Sequence, residues 1–419
     1  MNKGEQLVND FIANGWKSKP FDKLIPLLRD NRDQALSVAM LILEKIPKGG
    51  TFFDLLLSHL TEEEFGAVVT VAMKKLRNGP ADVLDSVIAY ASVQFPSLLV
   101  PFFREIFTLQ PNSGSYYEEW PWRAADNSEI AVLKNLVHYE KNADIRNRAW
   151  RCLVETRRSE AIEFAAQHFP PELDRGAGFN AYAHLVGFDT ASCPPRKLHT
   201  DRSHHIIFPA NHFNDADRPV WNRHSNHPTW SLDDPNALDG CLGGYADGQC
   251  GLCGGRLHRL VIIEDAVSVL PISLPRIELC TCMSCLGWEA PELFFAHDTS
   301  GKPTPLCDNV KHQEPEFPAE PLKSVVVRYV SSPSRWEFQD WALSNGRENL
   351  NRIGGSPSWI QDSQYPQCPK CHELMNFVAQ LDSDLSTIDG GEWLWGSGGI
   401  CYLFWCDSCR ISANLWQCT

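Results

Sequence analysis

Two quartets of cysteine residues limit what this chain can fold into more than any other feature. Each quartet consists of two Cys-x-x-Cys pairs. The first contains Cys250, Cys253, Cys282 and Cys285, and the second contains Cys368, Cys371, Cys406 and Cys409. Two thiolates with this spacing can bind one metal ion from a single tight turn, and a second turn completes a tetrahedral site. The pattern predicts two structural zinc ions in zinc-ribbon-like sites, with no position left for water or substrate.

One ligand of the first site is ambiguous. Cys280 precedes Cys282 by two residues and could bind the metal in its place. The separation between Cys282 and Cys285 repeats the spacing of the other pairs, and it therefore favours Cys282.

The cysteine count and the apolar stretches bear on the cellular compartment. The chain has 15 cysteines, an odd number, and its first residues lack the apolar stretch of a signal peptide. The longest apolar stretches, such as residues 36–43, are too short to span a bilayer. We expect a cytoplasmic protein without a membrane contact. In that reducing compartment, metal binding explains the cysteines better than disulfides do.

Composition divides the chain near residue 170. Thirteen of the 15 cysteines follow residue 240, whereas residues 1–170 show helical periodicity almost throughout. At 419 residues the chain is also too long for one ordinary domain. We predict an α+β multidomain protein. Its parts are a helical domain over 1–170, a β-rich segment over 171–320 with the first zinc site, and a β-rich segment over 321–419 with the second.

Two stretches of the helical domain have the pattern of paired helices. One lies around Asp33–Ala35, and the other starts at Asp144–Ala149 and continues into a helix with Ala161 and Ala165. These stretches resemble HEAT-type repeats, whose helix pairs stack into a solenoid. The resemblance implies an arm that binds an extended protein surface. An ordinary irregular helical domain is the alternative.

The second quartet lies within a group of recognisable motifs. These are Ile353-Gly-Gly-Ser-Pro-Ser-Trp359-Ile-Gln, the strand Met375 to Asp382 with Phe377-Val-Ala-Gln380, and Trp395-Gly-Ser-Gly-Gly-Ile-Cys-Tyr-Leu-Phe404. Together they resemble the YwqG-like family, a bacterial domain of uncharacterised function. The resemblance covers residues 351–409, extends loosely over 320–419, and implies no catalytic residue.

The same stretch is similar to a second family, the zinc-containing eukaryotic family named after programmed cell death. Its members also combine a Gly-Gly-x-Pro-x-Trp motif with a cysteine pair and a leucine-glutamine strand. That similarity implies a chaperone-like role in holding a ribosomal protein.

The distribution of charge indicates a basic partner. Residues 1–170 contain 20 Lys and Arg against 22 Asp and Glu, whereas residues 171–419 contain 18 against 30, so that −12 of the net charge of −14 lies in the second part. An acidic surface repels phosphate backbones, which disfavours nucleic-acid binding, and it attracts basic proteins. One candidate contact is the acidic loop formed by Asp382, Asp384, Asp389 and Glu392.

A histidine-rich segment over residues 199–227 is the best lead for catalysis. It contains His199, His204, His205, His212, His224 and His227 beside Asp201, Asp215 and Asp217. Such side chains could hold a catalytic metal with an open position. The sequence contains no phosphate-binding loop, no His-Glu-x-x-His and no Gly-x-Ser-x-Gly motif.

These features predict a non-enzymatic, zinc-stabilised module that binds a protein partner of basic character. It would act as a chaperone, an adaptor or a toxin-neutralising immunity protein. No catalytic residue and no organic cofactor is assigned. The alternative is a metal-dependent hydrolase that uses the segment 199–227. The sequence leaves the partner's identity and the oligomeric state open.

Overall fold

The structure is a computed structural model of the chain, and it contains two compact units. It describes residues 2–48, 51–79, 81–109, 118–174, 176, 178–209, 212, 237–306, 314–332, 339–341 and 349–419. The helical unit comprises residues 1–186, 190–196 and 334–345. The sheet unit comprises residues 187–189, 197–333 and 346–419.

The described part of the helical unit confirms that the N-terminal region is helical. Its α-helices are α1 Lys3–Asn14, α2 Pro20–Asp30, α3 Ala35–Lys45, α4 Thr51–Ser58, α5 Glu62–Leu76, α6 Asp82–Gln94, α7 Phe103–Thr108, α8 Asn127–Tyr139, α9 Ala143–Glu155, α10 Ser159–Gln167 and α11 Gly178–Leu185. Short 3-10 helices lie at Gly15–Ser18, Arg32–Gln34, Pro96–Phe102, Trp120–Ala124 and Pro171–Leu173. None of the described helices combines the length and the apolar character needed to cross a membrane.

Local sequence explains where several of these helices begin. Thr61 and Glu64 form a capping box at the start of α5, in which each side chain accepts a hydrogen bond from the other residue's backbone amide. The side chains of Asp126 and Asn142 accept hydrogen bonds from the first-turn amides of α8 and α9. Such caps satisfy amides that have no partner inside the helix, so short helices can follow one another closely.

Packing in the helical unit links alternate helices along the chain. α1 contacts α3, α2 contacts α4, α3 contacts α5, and α4 contacts α6. Further along, α9 contacts both α8 and α10. Trp150 of α9 is fully buried, and its indole nitrogen donates a hydrogen bond to the carbonyl oxygen of Ala165 at 2.9 Å. A regular HEAT-like solenoid stays a prediction.

The second part of the described chain is built mainly of strands. They are β1 Phe188–Asp189, β2 Arg196–Lys197, β3 Ser203–Ile207, β4 Leu238–Leu242, β5 Tyr245–Gln249, β6 Arg256–Ile263, β7 Ile277–Thr281, β8 Leu293–His297, β9 Pro303–Pro305, β10 Val325–Ser331, β11 Arg352–Gly354, β12 Asn376–Asp382, β13 Leu385–Ser386, β14 Glu392–Trp393, β15 Ile400–Cys406 and β16 Ile411–Gln417. One short helix, α12, spans Ala266–Val269. The β-rich character predicted for the C-terminal region is therefore confirmed.

One sheet joins strands from both halves of the β-rich region. Its order is β5-β6-β4-β10-β3-β11-β12-β15-β16-β8-β9. β5 and β4 pair with different parts of one edge of β6, and β7 pairs with the opposite edge. β10 lies between β3 and β4, where Tyr329 faces Ile206 on one side and Leu238 on the other. Residues 171–320 and 321–419 thus contribute to a single sheet and a single core.

The sheet curls until its two ends meet. The backbone amide of Glu278 in β7 donates a hydrogen bond to the carbonyl oxygen of Gly301, between β8 and β9, at 3.0 Å. A continuous hydrophobic cluster includes Leu260, Ile353 and Trp405, which come from β6, β11 and β15. The curled sheet and this cluster position both cysteine quartets.

Candidate metal centres

The first cysteine quartet lies at one end of three neighbouring strands. Cys250 and Cys253 lie between β5 and β6, and the other two cysteines follow β7. β6 pairs with β5 and with β7, and His258 of β6 faces Thr281, the last residue of β7. This pairing brings the β5–β6 turn next to the residues that leave β7.

Sulfur–sulfur distances in the first quartet fit one tetrahedral metal ion. Cys250 Sγ lies 3.9 Å from Cys285 Sγ, and Cys253 Sγ lies 3.7 Å from Cys282 Sγ. A tetrahedron with metal–sulfur bonds of about 2.3 Å has sulfur–sulfur edges of about 3.8 Å. All four Sγ atoms lie within 4.8 Å of one another, and all four cysteines are free of disulfides. The quartet can therefore hold a metal ion.

Backbone groups shape the first turn of this site. The amides of Leu252 and Gly255 donate hydrogen bonds to Cys250 Sγ and Cys253 Sγ, each at 3.4 Å. Gly254 has a φ of 73°, a left-handed conformation that glycine adopts without strain. Amide donors of this kind stabilise the negative charge of a metal-binding thiolate.

The second quartet is assembled by the pairing of β12 with β15. Cys368 and Cys371 precede β12, and Cys406 and Cys409 form the turn between β15 and β16. Cys371 Sγ lies 3.6 Å from Cys406 Sγ, and the four Sγ atoms again lie within 4.8 Å of one another. This quartet fits the same tetrahedral geometry as the first.

The two quartets are built in opposite chain order. In the first, the cysteine pair at a hairpin turn precedes the other pair, whereas in the second it follows. The turns nevertheless share a backbone feature. His372 and Arg410, each directly after the last cysteine of its pair, have φ values of 63° and 53°, like Gly254 in the first quartet. The left-handed backbone conformation after these cysteine pairs is therefore the shared feature, and glycine, histidine and arginine all adopt it here.

Each quartet contains a thiol that ionises readily. Hydrogen bonds with Cys282 and Cys285 hold the pKa of the Cys250 thiol well below its usual value. Burial acts to raise the pKa of Cys368, but the backbone amides of Cys371 and Lys370 contribute to holding it below its usual value. Because metals bind the thiolate form, this lowering favours metal binding at neutral pH.

The structure distinguishes between the two candidate ligands in β7 and after it. Cys282 Sγ belongs to the quartet, whereas Cys280 lies within β7, is fully buried and is not part of that group. Burial raises the pKa of the Cys280 thiol well above its usual value.

Behind the quartet, His258 Nδ1 accepts a hydrogen bond from the Met283 amide at 2.9 Å. Burial lowers the pKa of His258 to about 4, which keeps the ring a neutral acceptor.

Asp407 fixes the turn of the second quartet to a distant loop. Its Oδ1 accepts hydrogen bonds from the Trp405 indole at 3.0 Å, from the Ser273 amide at 2.8 Å and from the Ser273 hydroxyl at 3.0 Å. Burial acts to raise the pKa of Asp407, but these donors hold it below its usual value. Sequence reasoning missed this residue because Ser273 is remote along the chain.

The histidine-rich segment forms no metal-binding group among the described residues. His204 and His205 are consecutive in β3, so their side chains lie on opposite faces of the sheet. His205 is fully buried, and its Nδ1 is 2.6 Å from the Ser332 hydroxyl.

Two other histidines of the segment have local partners of their own. His199 Nδ1 is hydrogen-bonded to the carbonyl oxygen of Thr200, and His212 stacks on Phe208. Burial lowers the pKa of His212 to about 4. Four further candidates lie outside the described residues: His224, His227, Asp215 and Asp217.

The acidic loop predicted as a partner contact is only partly at the surface. Asp382 is 5% exposed and accepts a hydrogen bond from the Ser383 amide. Asp382 therefore does not lie on an exposed contact surface, because it ends the buried strand β12. Asp389 and Glu392 are exposed.

A buried row of polar side chains crosses the sheet and includes residues of β12 and β15, the strands that assemble the second quartet. It consists of His205, Arg352, Gln380 and Tyr402, which occupy facing positions on β3, β11, β12 and β15 and are all fully buried. Sequence reasoning found the neighbouring motif but not this polar row, since strand register decides which side chains face one another.

The polar row holds the loop over residues 354–361. Arg352 Nη2 donates a hydrogen bond to Ser358 Oγ at 2.9 Å, and the Ser358 amide donates to Gln380 Oε1 at 2.9 Å. The Tyr402 hydroxyl donates to the carbonyl oxygen of Ser358 at 2.7 Å. The Gly-Gly-Ser-Pro-Ser-Trp motif thus forms a structural loop. The backbone amide and carbonyl of Ser358 in this loop form hydrogen bonds with buried side chains.

Comparison with known proteins gives one partial relative. The chain is 39% identical over 71 residues to a protein of Salmonella typhimurium described as uncharacterized protein YpfL. The matched stretch covers 17% of this chain and 15% of that protein. No family model matches the chain, and no solved structure matches it.

Proposed function

We propose that the chain is a non-enzymatic, zinc-stabilised module that binds a basic protein partner. The supporting observation is the closed geometry of the two quartets, in which four sulfur atoms surround each site. Four thiolates complete a tetrahedral coordination sphere and leave no position for substrate or water. Zinc suits such a site because soft thiolate ligands and tetrahedral geometry select zinc or iron.

The acidic character of the β-rich region supports a basic partner. Residues 171–419 contain 18 Lys and Arg against 30 Asp and Glu. A surface with this balance attracts positively charged proteins and raises their rate of association. A chaperone, an adaptor and a toxin-neutralising immunity protein would all use such an interface.

Helix packing supports the HEAT-like arm as part of the same proposal. Contacts between alternate helices, from α1–α3 to α4–α6, are expected when helical pairs stack on one another. Membership of the YwqG-like family is likewise proposed. The resemblance depends partly on the Gly-Gly-Ser-Pro-Ser-Trp motif, and the loop over 354–361 that contains it is held by buried hydrogen bonds.

The test combines metal analysis with a binding assay on the full chain. Native mass spectrometry is expected to give two zinc ions per chain. Fluorescence anisotropy with labelled polylysine is expected to show binding that weakens as salt concentration rises, whereas heparin should not retain the chain at physiological salt. Absence of polylysine binding would overturn the proposal. A third metal that is lost on His204→Ala would instead support the metal-dependent hydrolase.

A further inference from the structure

Three aromatic side chains form a partly open notch beside the first quartet. They are Trp288, Phe317 and Trp416, and we call them the aromatic notch. The ring centroids of Trp288 and Phe317 are 4.5 Å apart, and those of Trp288 and Trp416 are 5.5 Å apart. Trp288 and Phe317 are each 45% exposed, so two large neighbouring rings face solvent. Adjacent exposed aromatic rings are typical of binding surfaces.

The aromatic notch is held to the metal-binding turn by backbone contacts. The Trp416 indole donates a hydrogen bond to the carbonyl oxygen of Leu286 at 2.8 Å. Gly287 has a φ of 79°, and a Cβ there would lie 2.2 Å from the Trp416 ring. Only glycine therefore lets Trp416 pack beneath the turn that contains Cys285.

The segment that contains Phe317 is fixed in the same way. The amide of Ala319 donates a hydrogen bond to the Ser284 hydroxyl at 2.9 Å, and the amide of Glu316 donates to Glu289 Oε1 at 3.3 Å. Prolines at 315 and 318 flank Phe317 and restrict its backbone. The notch is therefore preorganised, which lowers the entropy lost when a ligand binds.

Four carboxylates lie within three residues of Trp288 or Phe317 along the chain. Glu289, Glu314, Glu316 and Glu320 are all exposed. Within the described residues, none of the four forms an ion pair with a Lys, Arg or His side chain. The described part of this surface thus presents π faces and exposed carboxylates together.

We propose that the aromatic notch binds an arginine or lysine side chain of the protein partner. A guanidinium or ammonium group is attracted to the face of an indole ring and is paired by the nearby carboxylates. A phosphate-bearing ligand would be repelled by the same carboxylates, and a purely apolar ligand would leave them without a counter-charge. This inference rests on the proposed function and specifies the surface that performs it.

The experiment measures binding of a labelled peptide of alternating arginine and glycine to the full chain by fluorescence anisotropy. The variants are Trp288→Ala and the double variant Glu289→Gln with Glu316→Gln. Their controls are Trp16→Ala, which removes a tryptophan that is 54% exposed in the helical unit, and Glu163→Gln, which removes an exposed carboxylate of α10. Native mass spectrometry of every variant checks that two metal ions are retained.

Each outcome decides between the two proposals. Weakening of about tenfold in the notch variants, with less than twofold change in the controls, supports the notch. The notch proposal is overturned if peptide binding weakens equally in the controls and the notch variants, or if all of them bind equally well. The proposed function is unaffected by either result. If the unaltered chain binds neither this peptide nor polylysine, both proposals are overturned. The glutamine variants keep the test decisive if Trp288→Ala loses its metal.

Discussion

The hydroxyl of Thr281 donates a hydrogen bond to Asn414 Oδ1 at 2.8 Å inside the sheet unit. The Asn414 amide nitrogen donates in turn to the carbonyl oxygen of Cys280 at 2.9 Å. β7 leads directly into Cys282, and β16 begins shortly after Cys409. This buried contact therefore joins the strands on which the two metal centres depend.

Replacing Asn414 with Ala is expected to lower the free energy of unfolding by about 1–3 kcal/mol, because two buried polar groups lose their partner. Urea unfolding followed by circular dichroism measures the change. Thr281→Val is the matched variant, and the double variant should lose less stability than the sum of the two single changes. Strict additivity would show that the two side chains do not interact.

The number of metal ions bound per chain should change only when a cysteine of a quartet is replaced. Cys285→Ser and Cys409→Ser are each expected to remove one zinc ion per chain, since a serine hydroxyl is a poor ligand at neutral pH. Cys280→Ala and Cys401→Ala, at two buried cysteines that are not in the quartets, should leave two ions bound. Elemental analysis by mass spectrometry gives the count. Loss of zinc from Cys280→Ala but not from Cys282→Ser would exchange the ligand assignment.

The free energy of unfolding of the helical unit should fall as the pH rises through the range in which Asp54 loses its proton. Burial raises the pKa of this α4 carboxyl to about 7, whereas in an unfolded chain it is about 3.9. The folded state favours the protonated form, so this contribution is complete below pH about 4 and is lost between about 4 and 7. Asp54→Asn should remove the dependence and stabilise the unit at pH 8 by roughly 1–3 kcal/mol. Thermal unfolding across that range measures it, and the exposed Asp22→Asn should leave the profile unchanged.

A buried ion pair should stabilise the helical unit. Arg123 Nε lies 2.5 Å from Glu155 Oε1, and both side chains are about 10% exposed. Burial acts to raise the pKa of Glu155, but Arg157 and Arg123 outweigh it and hold the pKa below its usual value. The stabilisation is therefore present at neutral pH and lost as pH falls below the ordinary range of a glutamate.

Arg123→Ala is expected to cost about 3–5 kcal/mol, because it leaves Glu155 as a buried charge with one partner fewer. Arg77→Ala provides the contrast, since Arg77 is exposed where it pairs with Glu105, and it should cost much less stability than Arg123→Ala. Denaturant unfolding at pH 7 compares the two. Similar losses in both would mean that burial does not set the strength of the Arg123 pair.

Short-range patterns in the sequence predicted the two cysteine quartets that the structure brings together. A Cys-x-x-Cys pair forms within one turn, so its geometry is specified locally, and the four pairs could be recognised without the fold. Which pair joins which other pair also followed from proximity along the chain. Helical periodicity likewise indicated the helical region before any contact was known.

Contacts between distant residues could not be obtained in this way. The position of β10 between β3 and β4 depends on strand register, and so does the facing of Arg352 with His205 and Gln380. The histidines are clustered in sequence, yet the two-residue period of a strand places His204 and His205 on opposite faces. The exposure of Trp288 could not be predicted from the sequence either, because a tryptophan beside a cysteine pair commonly fills a core.

The chain order of the strands has a consequence for synthesis on the ribosome. β5, β6 and β7 are consecutive, so the first quartet can take up its metal as soon as Cys285 has emerged. The sheet around it stays incomplete much longer, because β3 and β4 gain their shared neighbour only when residues 325–331 appear, and β8 waits for β16 near the C-terminus. A nascent chain could therefore hold a metal ion before it has a closed core, and that ion would limit the conformations open to the exposed strands in the interval.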